Sequence, residues 1–114
     1  MLECAPTMEE MDLDQLSSLF RLLSEKTRLA ILLQLVRGER NVTSLCEELS
    51  LPQPTVSHHL GLLRMNNIVT NRRSGKQVYY GLVAQVRKPD SILEFLLQNV
   101  IVSVAPRLPD VDVL

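Results

Sequence analysis

The stretch Leu51–Leu82, LPQPTVSHHLGLLRMNNIVTNRRSGKQVYYGL, decides the fold. Its first part, from Gln53 to about Asn67, has apolar residues at helical spacing, which predicts a helix with one buried and one exposed face. Its second part predicts a β-hairpin with strands of about Ile68–Arg72 and Gln77–Leu82, because strong strand formers flank the turn residues Ser74-Gly75. The stretch therefore predicts a helix followed directly by a hairpin.

Charge is unevenly distributed along the chain, although the net charge is only −1. Residues 1–50 carry five Lys/Arg and nine Asp/Glu, a net −4, and residues 90–114 carry one Arg and four acids, a net −3. Residues 51–89 carry six Lys/Arg and no acid, a net +6. A basic hairpin beside a polar helix face, with no acid between them in sequence, is suited to a polyanion such as nucleic acid.

Length and composition indicate one domain of 114 residues, whose core must be aliphatic because 46% of the residues are hydrophobic but only 4% are aromatic. We expect this domain over residues 11–105, with a flexible N-terminus at 1–10 and a flexible tail at 106–114. The sequence has no secretory signal and no apolar run of about 18 residues, so we expect a cytoplasmic protein with no membrane partner. Two cysteines, Cys4 and Cys46, do not make a disulfide framework.

Four further helices are predicted outside the opening stretch: Met11–Leu23, Glu25–Arg37, a short helix from Asn41 or Thr43 to about Leu49, and Asp90–Val104. The last of these has apolar residues on nearly all sides, more than one small core can cover, which favours burial against a second copy of the chain. The residues expected at this homodimer interface are apolar members of the first and last helices: Leu16, Leu19, Phe20, Ile92, Phe95, Leu96 and Val100.

Three segments of the sequence resemble the ArsR/SmtB family of bacterial winged helix-turn-helix regulators. They are LLSEKTRLAILLQL (22–35), VTSLCEELSLPQPTVSHHLGLLR (42–64) and IVTNRRSGKQVYYGL (68–82), in the family order and spacing. The resemblance covers Phe20–Leu82. It implies a mainly α fold of about five helices with a two-stranded wing, dimerised through the first and last helices. It also implies a DNA-binding transcriptional repressor; no cofactor is predicted for this chain.

DNA docking follows from the geometry of such proteins, in which the helix of about Val42–Leu49 crosses the backbone and the helix from Gln53 enters the major groove. A two-fold dimer then requires double-stranded DNA with a pseudo-palindromic operator. Side chains expected to meet base edges lie on the exposed face near the helix start: Gln53, Thr55, Ser57 and His58. Basic side chains expected at phosphates or the minor groove lie at the helix end and on the wing: Arg64, Arg72, Arg73 and Lys76.

No catalytic site is predicted. Ser57 and His58 are adjacent in sequence rather than facing, and residues 51–89 hold no acid to orient a histidine. His59 lies at the edge of the apolar stripe, which favours a structural histidine. Pro52 stands where the family usually has a capping serine, so the start of the recognition helix is expected to differ.

Metal sensing is not supported by the residues at the family's metal positions. The thiol pair would fall at Asn41 and Thr43, and the predicted last helix offers Asp90 and Glu94 but no histidine. Zinc needs about four nitrogen, sulfur or oxygen ligands in a tetrahedral array. We therefore predict no metal site.

Two alternatives to a plain DNA-binding repressor remain open. Cys46 aligns with a position that some arsenic sensors use, and Cys4 could reach it, so the pair could form a thiol switch or respond to arsenic. The favoured interpretation is that Cys46 is a small buried hydrophobe. The second alternative is a winged-helix module that binds protein instead of DNA, which predicts acids on the recognition helix or wing.

Overall fold

The computed structural model describes residues 12–107, apart from the side chain of Ser91. Four α-helices are present: α1 (Leu13–Leu23), α2 (Lys26–Leu35), α3 (Val42–Leu49) and α4 (Gln53–Met65). The strands are β1 (Arg40–Asn41), β2 (Val69–Ser74), β3 (Gln77–Leu82), β4 (Val86–Arg87), β5 (Leu93–Leu96) and β6 (Ile101–Val104). The flexible segments predicted at 1–10 and 106–114 lie outside the described residues, apart from residues 106 and 107.

Each of the first three helices begins at a side chain that accepts hydrogen bonds from its first turn. Asp12 accepts from the backbone N–H of Gln15 at 3.0 Å, and Asn41 accepts from that of Ser44 at 2.8 Å. Glu25 begins α2 in the same way. Such caps satisfy N–H groups that have no partner within the helix. They fix the starts of α1, α2 and α3 close to the predicted positions.

The core lies between α2, α3 and α4. Its fully buried side chains are aliphatic and come from the predicted stripes: Ile31, Leu32, Leu35, Leu45, Val56, Leu60 and Leu63. These residues join α3 and α4 into a helix-turn-helix, with Leu51-Pro52 between the two helices. The opposite side of α4 is left facing solvent.

The predicted hairpin forms with β2 and β3 in antiparallel register, Val69 opposite Leu82 and Ser74 opposite Gln77. The turn needs a left-handed residue, and Gly75 supplies it with φ +63°. The two-residue strand β1 adds to the other side of β3, so the wing hairpin belongs to a three-stranded sheet ordered β1-β3-β2, the wing sheet. A strand of two residues is too short to leave a periodic signal.

The prediction of a helix over Asp90–Val104 is wrong. A short 3₁₀ turn (Pro89–Ser91) leads into β5 and β6, which pair with β4 in a second sheet ordered β4-β5-β6, the C-terminal sheet. In β5 the side chains of Leu93 and Phe95 are buried while Glu94 and Leu96 are only partly covered, the alternation of a strand. Four of the five residues in Val100–Val104 are β-branched, which also favours a strand.

This difference changes the predicted dimer interface. Leu19 and Phe95 are 7% and 2% exposed because they belong to the chain's own core. Phe20 is 53% exposed on α1. The other predicted interface residues are partly buried: Leu16, Ile92, Leu96 and Val100. A dimer contact through a last helix is therefore excluded, whereas the exposed side of α1 remains available.

Within residues 12–107, no helix has the length and apolar character needed to cross a membrane.

Candidate nucleic-acid interface

The exposed face of α4 carries the polar residues that the sequence predicted at base edges. Gln53, Ser57 and His58 are exposed, and Thr55 is partly exposed. Arg64 is exposed in the last turn of the same helix. The apolar side of α4 is fixed in the core, so this face has a set orientation relative to the domain.

α4 begins without a side-chain cap. Pro52 occupies the N-cap position in an extended conformation, and no side-chain hydrogen bond closes the first turn. Pro54 has no N–H, so the first-turn N–H groups of Gln53 and Thr55 are those without an intrahelical acceptor. An uncapped helix start carries a partial positive charge that favours an anion such as phosphate.

The wing tip bears two basic side chains, Arg73 and Lys76, both exposed. Within the part of the chain that the structure describes, neither forms an ion pair with an acid. They flank the turn at Gly75. The buried residues Val69 and Gly81 are at the opposite end of the hairpin. Their charges are therefore presented to solvent.

Arg72 differs from its neighbour Arg73 because it is already paired. Its Nη2 donates to Glu39 Oε1 at 2.8 Å, its Nε lies 3.1 Å from the same oxygen, and its guanidinium stacks over the Tyr79 ring at 5.0 Å. Hydrogen bonding to Arg72 lowers the pKa of Glu39, and the same bond raises the pKa of Arg72. Arg72 thus ties β2 to the loop after α2.

Sequence reasoning missed Glu39. The window 51–89 has no acid, but the fold brings this carboxylate to Arg72 in the middle of β2, from a position 33 residues earlier. A second acid, Glu48, pairs with Arg40 at 3.0 Å. No local sequence pattern predicts the ion pair between Glu39 and Arg72, because the two residues are brought together only when β1 pairs with β3.

His59 lies between α2 and α4, with its side chain only 12% exposed. Its Nδ1 is 3.3 Å from Arg28 Nη1, and its Nε2 is 3.9 Å from Glu25 Oε1. A guanidinium can only donate, so Nδ1 accepts and the ring proton sits on Nε2, towards Glu25. Desolvation by burial lowers the pKa of His59, with repulsion from Arg28 and His58 adding to it and attraction from Glu25 opposing it. This placement agrees with a structural histidine.

Glu25 is the acidic partner of His59 in this contact. Partial desolvation acts to raise the pKa of its carboxyl, but hydrogen bonds from the backbone N–H groups of Thr27 and Arg28 outweigh it and lower the pKa. The carboxylate accepts from Thr27 at 2.6 Å and from Arg28 at 3.3 Å. The start of α2 is therefore charged and ordered where it meets α4.

Cys46 is partly buried and packs against the core, and it has no disulfide partner among the described residues. Cys4 lies outside the described residues, so the predicted thiol pair stays a prediction. Among residues 12–107, no group of three or more His, Cys, Asp or Glu side chains is placed to hold a metal ion.

The α3–α4 pair followed by the β2–β3 hairpin defines a winged helix-turn-helix protein, the class predicted from the sequence. The family model described as "Bacterial regulatory protein, arsR family" matches residues 25–71. The crystal structure of the transcriptional repressor BigR from Xylella fastidiosa is 38% identical with a TM-score of 0.64, covering 68% of this chain and 79% of that one. The chain belongs to the ArsR/SmtB family of bacterial regulatory proteins, which confirms the predicted resemblance.

Two further similarities bear on the whole protein. The HTH-type transcriptional repressor SmtB of Mycobacterium tuberculosis is 44% identical over 78 residues, which are 68% of this chain and 57% of that protein. The chain thus matches little more than half of SmtB. A solution structure of the homodimeric winged helix-turn-helix DNA-binding domain of Mb0332 from Mycobacterium bovis is 30% identical, with a TM-score of 0.57, covering 67% of this chain and 75% of that one.

Proposed function

We propose that this protein is a sequence-specific DNA-binding transcriptional repressor that acts as a homodimer on a pseudo-palindromic operator. The observation that carries the proposal is a basic wing tip on the hairpin that directly follows α4. On it Arg73 and Lys76 have no acidic partner in the described residues, and α4 itself has an exposed polar face. Similarity to proteins named as transcriptional repressors supports the direction of regulation.

Base recognition is assigned to the first two turns of α4. The Gln53 amide suits a bidentate pair with adenine, and Thr55 offers both a methyl group for thymine and a hydroxyl. Ser57 and His58 follow on the same exposed side and reach a base or a phosphate. The uncapped start of α4 allows a backbone phosphate to approach its free N–H groups.

Phosphate binding is assigned to Arg64 at the end of α4 and to Arg73 and Lys76 on the wing. Arg72 receives a different role from the one the sequence predicted. Its guanidinium is engaged by Glu39 and Tyr79, so it holds the wing in position and its charge is largely offset. The wing's net attraction for DNA then comes from its tip.

A homodimer would supply two copies of this surface related by a two-fold axis, which matches a palindromic site with recognition helices about one helical turn or a small multiple apart. The homodimeric state named for the similar Mb0332 domain supports this assembly. The exposed Phe20 on α1 is the contact we assign to it, in place of the predicted last helix. A regulator of bacterial DNA would work in the cytoplasm.

The test is selection from a randomised duplex library, followed by affinity measurements at several salt concentrations. Lys76→Ala and Arg73→Ala should weaken binding to every sequence and reduce the log-affinity against log-salt slope by about one per lost contact per subunit. Gln53→Ala should instead relax base preference, at about 1–3 kcal/mol for a lost bidentate pair. Arg21→Ala, an exposed arginine on α1, is the matched control and should leave the salt slope unchanged.

The proposal fails if the wild-type protein selects no sequence and the Arg73 and Lys76 variants keep its salt slope. The protein-binding alternative would then replace it. The proposal is supported if the wild-type protein selects a palindromic sequence, the Arg73 and Lys76 variants have a smaller salt slope, and the Arg21 control keeps the wild-type slope. The palindrome would support the two-fold assembly, and the slopes would support DNA contact by the wing tip.

A further inference from the structure

A cavity of about 610 Å³ opens between α1, the residues after α4 and the C-terminal sheet. Leu19 and Leu22 of α1 line it together with Phe95 and Leu96 of β5. Ile68, which follows α4, lines it as well. The volume falls within the range of pockets that hold small organic molecules, roughly 300–1,000 Å³.

None of the thirteen residues that line the cavity is charged. Eight are aliphatic or aromatic, and five carry an amide or hydroxyl group. A charged ligand entering this cavity would lose hydration and gain no opposite charge, which is costly. An uncharged ligand with an apolar body would lose little and would bury surface against leucine, isoleucine and phenylalanine side chains.

The polar groups in the lining remain able to hydrogen-bond a ligand. Within the described part of the chain, the side chains of Ser18, Asn67 and Gln85 make no hydrogen bond to protein. Gln15 has one, since its Oε1 accepts from the backbone N–H of Gln98 at 3.3 Å, which leaves its NH₂ group able to donate. These groups supply donors and acceptors at the edge of an apolar surface, the usual pattern of a small-molecule site.

We propose that this cavity is a binding site for one small uncharged organic molecule with an apolar body and at least one hydrogen-bonding group. The site is distinct from the polar face of α4 and from the wing tip, and the proposal does not depend on DNA binding. It does touch the end of α4, because Asn67 terminates that helix in a left-handed conformation, φ +59°, and Ile68 N–H bonds back to Leu63 O at 3.0 Å.

The probe for the test is N-phenyl-1-naphthylamine, a neutral aromatic amine whose fluorescence rises in apolar surroundings. Its charged counterpart, 1-anilinonaphthalene-8-sulfonate, has the same ring skeleton with one sulfonate added. Titration into the full chain should give saturable binding of the neutral probe at one site per chain. The sulfonate should bind at least about tenfold more weakly, because the lining has no cation to receive it.

Adjacent serines on α1 provide the variant and its control. Ser18 lines the cavity, and Ser17 is exposed on the same helix and does not. Ser18→Phe should fill the cavity and lower affinity for the neutral probe by about tenfold or more, whereas Ser17→Phe should leave it unchanged. Circular dichroism establishes that each variant is folded. If Ser18→Phe is unfolded, Gln85→Trp on the rim takes its place, with the same expected loss.

Equal binding of the two probes would overturn the proposal, because it would indicate a surface that does not select against charge. Equal probe affinity in the Ser17 and Ser18 variants, or in wild type and a folded Gln85 variant, would overturn it too. Loss of binding confined to the variants that fill the cavity supports it.

Discussion

The wing sheet and the C-terminal sheet are both three-stranded and antiparallel, yet they are held to the helices by different forces. The wing sheet places Val69 against the core and then extends away from it, and polar contacts brace its extended part: Glu39 with Arg72, and Asn41 with Gln77. The C-terminal sheet is held by the buried side chains of Val86, Leu93 and Phe95. The wing sheet therefore projects into solvent, whereas the C-terminal sheet packs against the core.

The energies of these two attachments differ several-fold. An exposed ion pair contributes about 0–1 kcal/mol, because water competes for both partners. A fully buried leucine or phenylalanine contributes several times as much through burial and packing. The wing should therefore respond weakly to loss of one contact, and the C-terminal sheet strongly. The wing tip can bear charge for a ligand because it takes no part in the core, whereas Val69 at the other end of the hairpin is buried.

The largest expected effect tests whether the C-terminal sheet exists. Glu94 and Ser103 are directly opposite each other on β5 and β6. Opposed residues in an antiparallel pair have Cα atoms about 4.5–5.5 Å apart, within disulfide range. In a helix, nine residues would separate them by about 13.5 Å. Glu94→Cys with Ser103→Cys, in a background without Cys4 and Cys46, should oxidise almost completely to an intramolecular disulfide, scored by mass spectrometry and gel mobility.

The control for this cross-link is Glu94→Cys with Ile101→Cys. The two residues are diagonal rather than opposite, about 7–8 Å apart, and should oxidise poorly. If the Glu94–Ser103 pair forms no cross-link, the pairing of β5 with β6 is contradicted, and with it the comparison between the two sheets.

Phe95→Ala should be the most destabilising single change in the C-terminal sheet. The side chain is 2% exposed, and removing it leaves a cavity that costs about 3–5 kcal/mol of unfolding free energy. Ile101→Ala in β6, where the side chain is 57% exposed, is the matched control and should cost under about 1 kcal/mol. Urea denaturation of both variants measures the difference. Similar losses in the two would mean that Phe95 is not a core residue.

The two sheets also differ in how far the sequence could predict them. The wing hairpin has a clear turn and clear strand formers, so its strands lie within two residues of the predicted limits. The C-terminal segment is apolar at most positions, so neither a helical nor a strand period stands out. The prolines at 89 and 106 predict the start and end of a helix, although the β-branched residues from Val100 to Val104 and the polar pair Gln98-Asn99 between the strands are typical of a hairpin.

The candidate nucleic-acid interface also has one part that the sequence could predict and one part that it could not. The exposed positions of Gln53, Ser57 and His58 follow from helix periodicity and could be predicted. The pairing of Arg72 with Glu39 could not, because it depends on β1 meeting β3 across more than thirty residues of sequence. Local pattern predicts which side chains face solvent, but not which acid from elsewhere will neutralise them.

A smaller effect should appear on lowering pH from about 7.5 to 5.5, where only histidines titrate among ordinary side chains. The C-terminal sheet has no histidine. Burial lowers the pKa of His59, so the unfolded chain takes up a proton more readily than the folded one. Stability from the unprotonated His59 is complete above the ordinary pKa of about 6.5 and is lost as pH falls from there through the lowered folded-state pKa.

The measurement is the unfolding free energy at each pH for wild type, His59→Gln and His58→Gln. His59→Gln should flatten the decline, because the group beside Arg28 and Glu25 no longer takes up a proton. His58→Gln removes the repulsion that helps to lower the pKa of His59 but leaves the burial of that ring, so a smaller decline should remain. A decline that survives in His59→Gln would assign the pH dependence to another group.

The smallest expected effect concerns the wing's attachment and sharpens the contrast between the sheets. Glu39→Gln removes the charge that pairs with Arg72, an exposed contact, so unfolding free energy should fall only slightly and far less than in Phe95→Ala. The same change frees one positive charge on β2, so DNA affinity should rise and the salt slope should steepen by up to about one per subunit. Glu48→Gln is the matched control, because it frees Arg40, outside the β2–β3 hairpin, and should leave the slope unchanged. If Glu39→Gln instead weakens DNA binding, then Arg72 serves the interface through its position and not its charge, and the ion pair contributes more to wing geometry than its exposure suggests.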